Sequence, residues 1–272
     1  MLKALRRGMD VLGHGGAALD AVIACVTAME DDPLFNAGYG SALNTDGEVE
    51  MDASVMVSGT GMPAGGVACV NFVRNPILLA RAVMERTPHL LMTGLGAEHL
   101  AAAAGIRLCL PAELKTERAI ERLQRFLERA ANSPVSRHGT VGAVALDHGG
   151  RLAAATSTGG MTGKMPGRVG DSAIVGAGTW ADAHAAASAT GVGEAIIRAA
   201  LCREAAAAAR RRGASTSARA AIADLAKSTG SEAGIIMVDR RAGIGYAHNA
   251  ASMDVAFFNG SRTVYLRPKT LN

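Results

Sequence analysis

Two runs of small apolar residues, Val141 to Leu146 and Leu152 to Ser157, flank the tetrapeptide Asp147-His148-Gly149-Gly150. Their length and the Gly-rich connection make them the two strands of a hairpin. With a glycine of that loop in the left-handed conformation, Leu146 falls opposite Leu152 and Thr140 opposite Thr158. Side chains alternate across a strand, so both hydroxyls share one face, with Cβ atoms about 5 Å apart. Gly142, Val144 and Leu146 follow on that face, while Val141, Ala143 and Ala145 face another layer.

The rest of the chain reads as two helical sets against two strand sets. Ala18 to Glu30 has apolar residues at helical spacing, and the run beginning at Asp31 breaks it with Pro33, Gly38 and Gly40. Ser41 to Val57 reads as a hairpin turning at Thr45-Asp46-Gly47, and Asn75-Pro76 as the N-cap and first residue of a helix. Further helices cover Gly96 to Gly105 and Glu113 to Asn132, and Asn132 to Gly139 reads as an exposed linker. Beyond it come the hairpin and a strand over Ser172 to Gly178. A weak helical stretch from Gly178 to Gly191 and helices over Gly193 to Arg212 and Ser217 to Ser228 follow. Short strands end the chain. This order predicts a layered α/β sandwich with mainly antiparallel sheets rather than alternating βαβ units.

With 272 residues, nearly half of them apolar but only 3% aromatic, the core must be built from small side chains in close-packed layers. A net charge of +4 with one dense basic run, Arg210 to Arg212 at a helix tail, argues against nucleic acid as a partner. Four widely spaced cysteines without a CxxC pair fit a reducing compartment. No stretch reaches the roughly 18 apolar residues of a membrane span, and the basic start carries no apolar run of signal-peptide length. The expected location is the cytoplasm. Two motif matches are decoys. Gly176-x-Gly178-x-x-Ala181 lacks the βαβ context of a dinucleotide turn, and Gly159 to Met165 fails as a phosphate loop.

Chemistry enters through the residue before Thr140. A threonine hydroxyl is a weak nucleophile without an adjacent base, and one solution is the threonine's own α-amine, with a pKa of about 7.7–8.0. That amine exists only if the chain is cut in front of it. The same hydroxyl can make the cut by attacking the preceding carbonyl, which needs a strained peptide that glycine tolerates. Gly139-Thr140, after an exposed linker, meets these demands.

The run from Gly139 to Gly178, with "PLFNAGYGSAL" and "SATGVGEAIIR", resembles the plant-type asparaginase and isoaspartyl aminopeptidase family. The resemblance extends from about Val11 to the end of the chain. It implies a four-layer αββα sandwich of the N-terminal-nucleophile hydrolase type and one domain over 1–272, self-cleaved into 1–139 and 140–272. Two copies of each fragment would make a homodimer of processed protomers. The family's first apolar strand has no counterpart before the first helix, and His14-Gly15-Gly16 reads as a helix–helix connection.

By the same resemblance, Thr140 is nucleophile and base, Thr158 orients it, Thr190 and Gly191 stabilise the oxyanion, and Asn36 helps build the pocket. Arg168 and Asp171, with Gly191 and Gly193, hold the α-carboxylate and α-ammonium of L-asparagine or of a β-aspartyl dipeptide. Arg168 and Asp171 alone could equally be a surface ion pair, and "TGVGE" an ordinary helix start. No cofactor is implied beyond a structural sodium ion on Met29, Glu30, Asp32, Phe35, Ala37 and Tyr39, a loop that reads equally well as a plain turn. Two alternatives stand beside this reading: a glycosylasparaginase-like amidase, which Gly139 argues against because those enzymes usually carry Asp there, and a shortened relative that folds without processing.

Overall fold

A computed structural model describes residues 1–130 and 139–267. The expected linker, with His138, lies outside the described residues. Helices α1 (Leu2–Gly13), α2 (Ala18–Glu30), α3 (Pro76–Arg86), α4 (Gly94–Ala103) and α5 (Glu117–Ala130) accompany strands β1 (Met51–Val57), β2 (Ala64–Val70) and β3 (Leu91–Thr93). After Gly139 come β4 (Val141–Leu146), β5 (Leu152–Thr158), β6 (Thr179–Ala181), β7 (Ala185–Gly191), α6 (Gly193–Ala199) and α7 (Leu201–Thr229). The chain continues through β8 (Ala233–Asp239), β9 (Ile244–His248), β10 (Val255–Phe258) and β11 (Thr263–Leu266).

Among the described residues the strands form a sheet of order β3-β2-β1-β5-β4, a second of order β6-β7-β8-β9, and the small β10-β11 ribbon. Every pairing is antiparallel except β2 with β3. Helices α2 and α3 pack on the first sheet and α7 on the second. The buried apolar residues divide accordingly. One cluster lies between α1–α5 and the first sheet, one between the second sheet and α6–α7, and a third between the sheets. Three buried interfaces make four layers, so the αββα sandwich stands.

The hairpin register is the expected one: Leu146 pairs with Leu152 and Val141 with Ser157, and Gly150 takes φ 77°. Asp147 fixes the hairpin to the helix layer, because its carboxylate accepts the Ala18 N–H that opens α2 at 3.0 Å and the Arg151 N–H at 2.9 Å. An anion at a helix N-terminus satisfies donors that have no partner within the helix.

Between the sheets, small side chains allow a close approach. Ala154 and Leu152 of β5 meet Ala186 of β7 and Ala181 of β6. A hydroxyl seam continues the contact: Thr156 Oγ1 lies 2.7 Å from Ser188 Oγ, and Ser54 Oγ donates to Thr179 Oγ1 at 2.8 Å. A buried hydroxyl without a partner costs free energy, and these bond to one another. Gly142 of β4 faces Ser188 so closely that a Cβ there would stand 2.1 Å from Ser188 Oγ.

Three local expectations are corrected and a fourth is refined. Ser172 to Gly178 is a 3₁₀ turn (Asp171–Ala173) and a tight bend, because the chain must reverse to feed the second sheet. The expected weak helix after Gly178 is instead β6 and β7, where alternate alanines suit the narrow gap between layers. Ala200, at φ 44° and ψ 47°, separates α6 from α7, and α7 itself breaks at Gly213. Asn75 is the N-cap residue and Pro76 opens α3 as expected, but the capping acceptor is the Glu30 carboxylate, which takes the Ile77 N–H at 3.1 Å, while the Asn75 side chain turns to Asp31. Strand β4 ends its sheet, and beside its outer edge lies a cavity of about 640 Å³ lined by α1, α2, β4, β8 and β10.

Gly142→Ala tests the sheet contact. Overpacking of this kind costs about 1–3 kcal/mol, so the urea midpoint should fall by the matching amount. An unchanged midpoint would mean the sheets do not meet as closely as Ser188 and Gly142 require.

Candidate active site

The intact Gly139–Thr140 peptide lies where the hairpin opens. The Gly139 carbonyl oxygen accepts the Asn36 side-chain amide at 2.7 Å and the Thr158 hydroxyl at 2.9 Å. Thr140 Oγ1 donates to Thr158 Oγ1 at 3.4 Å, and the Gly160 N–H donates to the same oxygen at 3.0 Å. The Thr158 hydroxyl therefore receives from Thr140 while donating to the carbonyl beside it. Two donors on one carbonyl oxygen stabilise negative charge developing there.

Asn36 is itself immobilised. Its amide also donates to Gly160 O at 2.7 Å, its Oδ1 accepts the Ala42 N–H at 2.6 Å, and its carbonyl accepts the Gly159 N–H at 3.0 Å. A donor fixed on so many sides costs no reorganisation when charge appears.

The other expected residues assemble through a short chain of contacts. Asp52 of β1 pairs with Thr158 of β5, and its carboxylate accepts the Gly170 N–H at 2.8 Å and the Cys69 N–H at 3.0 Å. This holds the loop of Arg168 and Asp171 over the first sheet. At the end of β7, Gly193 marks where the loop meets the second sheet: a Cβ there would sit 2.7 Å from Arg168 Nη2 and 3.0 Å from Asp171 Oδ1. Guanidinium and carboxylate thus converge on one point. Along β7, Ser188 faces Gly142 and Thr156, and Thr190 follows two residues on, on the same face.

Arg168 does not pair with Asp171. Its Nε and Nη2 donate to the two carboxylate oxygens of Glu194, each at 2.9 Å. Asp171 is fully enclosed, and its Oδ2 has no hydrogen-bond partner among the described residues. Burial pushes its carboxyl up to about 7, against the pull of Arg168. The unpartnered Oδ2 faces Gly178, whereas Oδ1 is the oxygen on the side of Gly193 and Arg168.

Sequence reasoning missed Asp52, Lys164 and Glu194, and it placed Glu30 only in the cation loop, not as the buried carboxylate that caps α3. Asp52 carried a signal, as the one charge in an otherwise apolar strand run. Lys164 is buried, donates to the Glu50 carbonyl at 2.7 Å and has its pKa lowered by desolvation against the opposing pull of Asp52. Burial raises Cys69 to about 11, so its thiol stays protonated and is no rival nucleophile.

In the loop after α2, Met29 O, Glu30 O and Asp32 O accept the N–H groups of Asp32, Tyr39 and Phe35. The carbonyls of Phe35, Ala37 and Tyr39 accept no hydrogen bond among the described residues. Neutral oxygen acceptors of this kind fit a hard cation better than a soft metal. Glu30 is wholly buried, accepts Ser157 Oγ at 2.6 Å, and is pushed up to about 8 by burial.

The family model for asparaginase matches residues 1–266. The chain belongs to the asparaginase family. It is 52% identical over 207 residues to the isoaspartyl peptidase/L-asparaginase of Bos taurus, covering 75% of this chain and 67% of that protein. The human protein of the same name is 51% identical over the same shares. The isoaspartyl peptidase of Escherichia coli K12 is 48% identical, covering 71% of this chain and 63% of its own length. The chain thus spans about two thirds of the length of the curated relatives it matches. Among the described residues, no helix of this asparaginase-family chain is long and apolar enough to cross a membrane.

Burial raises the carboxyls of Asp171, Glu30 and Asp52, and the first two define a pH dependence near neutrality. A folded value above the ordinary carboxylate range of about 4 means the group favours folding at low pH, and that contribution is lost as pH rises through the folded value. Without ligand, stability should fall between pH 5 and 8 as Asp171, near 7, and Glu30, near 8, ionise. In Asp171→Asn the urea midpoint should fall less over that range, and an equal fall in both proteins would show Asp171 already ionised at pH 5.

Proposed function

We propose that the chain is a self-processing hydrolase that releases L-aspartate from L-asparagine or from N-terminal β-aspartyl peptides. The observation that carries this reading is the Gly139 carbonyl, held by Asn36 and Thr158 with the Thr140 hydroxyl alongside. Thr140 Oγ1 attacks the Gly139 carbonyl carbon, Asn36 and Thr158 stabilise the oxyanion, and the C–N bond breaks. The product is an ester at Thr140 with a free α-amine. Water hydrolyses the ester, leaving a carboxylate on Gly139 and an unmodified Thr140 hydroxyl.

In the processed protein the α-amine takes the proton of the Thr140 hydroxyl as it attacks the substrate's β-carbonyl. Arg168 binds the α-carboxylate and Asp171 the α-ammonium. Thr190 and the Gly191 N–H take the oxyanion. The amine returns the proton to the leaving ammonia or peptide, and water then frees aspartate from the β-aspartyl ester. The names of the relatives from Bos taurus and Escherichia coli support both leaving groups. We place the enzyme in the cytoplasm, in keeping with four unpaired cysteines, as a homodimer of processed protomers with fragments 1–139 and 140–272.

A second reading, a chain that folds without being cut, has one observation in its favour. The strand that Thr140 leads into, β4, has no strand on its outer edge among the described residues and lies beside a cavity of about 640 Å³. Intact mass separates the two readings. Self-cleavage yields two fragments split between Gly139 and Thr140, and Thr140→Ala remains one uncut chain without asparaginase activity. A wild-type chain that stays whole for days at neutral pH, or a Thr140→Ala protein that still turns over asparagine, removes Thr140 from its role.

The loop from Met29 to Tyr39 is assigned a structural sodium ion, held by carbonyl oxygens of Met29, Glu30, Asp32, Phe35, Ala37 and Tyr39. Bound there, the ion supplies a fixed positive charge that keeps the backbone beside Asn36 in shape. Exchanging sodium for tetramethylammonium at constant ionic strength should lower the melting temperature. The same melting temperature in both salts would mean the loop is an ordinary turn.

A further inference from the structure

We infer that Glu194 is a positioning residue: by gripping Arg168 it fixes the span between the substrate's α-carboxylate and the oxyanion donors, and so selects an aspartyl over a glutamyl side chain. This rests on the function proposed above and adds the origin of its chain-length preference.

The argument begins with the guanidinium. Glu194 engages its Nε–Nη2 edge, with both bonds at 2.9 Å. Arginine has five N–H groups, so Nη1 and the second hydrogen of Nη2 remain for another carboxylate. Arg168 can therefore hold Glu194 and a substrate carboxylate together, and Glu194 need not leave. The guanidinium is also confined: a Cβ on Gly170 would meet Nη1 at 2.9 Å, and one on Gly193 would meet Nη2 at 2.7 Å. The Arg168 side chain is 16% exposed and that of Glu194 45%, so the pair anchors a largely buried cation from the rim of the site.

The location of Glu194 gives the pair its consequence. Glu194 stands in the first turn of α6, directly after the Thr190-Gly191 end of β7. Arg168 stands on a loop fixed to the first sheet through Gly170 and Asp52, and through Gly167 and Glu50. The ion pair therefore joins a loop held to the first sheet to the helix that follows the Thr190-Gly191 end of the second sheet. It sets how far the carboxylate seat lies from Thr190 and Gly191. Asparagine and glutamine carry the same α groups and the same amide and differ by one methylene. Only the length of that span distinguishes them, and a misplacement of about 1 Å can cost on the order of 100-fold in rate.

The test compares L-asparagine and L-glutamine turnover, and L-aspartate and L-glutamate binding by calorimetry, in the wild type, Glu194→Gln and Glu194→Ala. Far-UV circular dichroism and intact mass report folding and processing, and Glu194→Gln serves if Glu194→Ala does not fold. In Glu194→Ala, kcat/KM for asparagine should fall on the order of 100-fold, mainly in kcat, while that for glutamine changes little. The aspartate-to-glutamate affinity ratio should narrow in parallel, and this binding arm needs no turnover. Equal losses on both substrates with an unchanged affinity ratio would reduce Glu194 to a structural role and overturn the inference. So would a lower KM for asparagine, because it would mean Glu194 competes for Arg168. A wild-type protein that binds neither L-aspartate nor L-glutamate would instead sink the proposed function, and this inference with it.

Discussion

The close approach of two sheets across small side chains governs everything else in this molecule. Alanines on β5, β6 and β7 leave so little room between the layers that Gly142 of β4 can carry no Cβ opposite Ser188. In that gap the hydroxyls of Ser54, Thr156, Thr179 and Ser188 bond to one another or to backbone carbonyls. Thr158 continues the same face of β5, so the Thr140–Thr158 hydroxyl pair is the open end of that seam. A bulkier core would separate the sheets and pull the two halves of the site apart.

The site combines rigid donors with carboxyls that burial keeps from ionising readily. Asn36 and Thr158 are fixed by bonds to backbone groups, so they present hydrogens to the Gly139 oxygen without reorganising. Asp171 is enclosed, and its Oδ2 has no hydrogen-bond partner among the described residues. Glu30 closes the structure from below, joining the start of α3 to Ser157, the neighbour of Thr158. The loop carrying Arg168 is gripped by Asp52 on one sheet and by Glu194 beside the other. Charged groups serve here as fasteners between layers.

Much of this was legible in the chain itself. The hairpin register followed from strand alternation and a Gly-Gly turn, and it set Thr140 against Thr158 before any tertiary contact was known. The layer order followed from grouping helices and strands. The segment from Ser172 to Gly191 resisted, because short Ala- and Gly-rich stretches carry almost no periodic signal. Their state is set by the neighbouring strand, which makes β7 a central strand although its residues are good helix formers. At α3 the chain shows Asn75 as the N-cap position and Pro76 as the first residue, but not the acceptor, because a buried carboxylate 47 residues from Ile77 supplies it.

The sequence by itself determined the hairpin that sets Thr140 against Thr158 and places Gly139 before it. That register rests on local turn chemistry and two-residue periodicity, which neighbouring residues settle among themselves, whereas the roles expected of Thr140, Arg168 and Asp171 rest on the family resemblance. Only the tertiary structure decided that Arg168 pairs with Glu194 rather than Asp171, that Asp52 anchors the loop carrying Arg168, and that Asn36 reaches the Gly139 carbonyl. The Asp52–Gly170 and Asn36–Gly139 contacts join residues 118 and 103 positions apart. The Arg168–Glu194 pair, although nearer in sequence, joins a loop held to the first sheet to the helix that follows the second sheet's Thr190-Gly191 end. Partners of this kind are chosen by the cost of burying a charge or a carbonyl without one, and that cost arises only once the layers have closed.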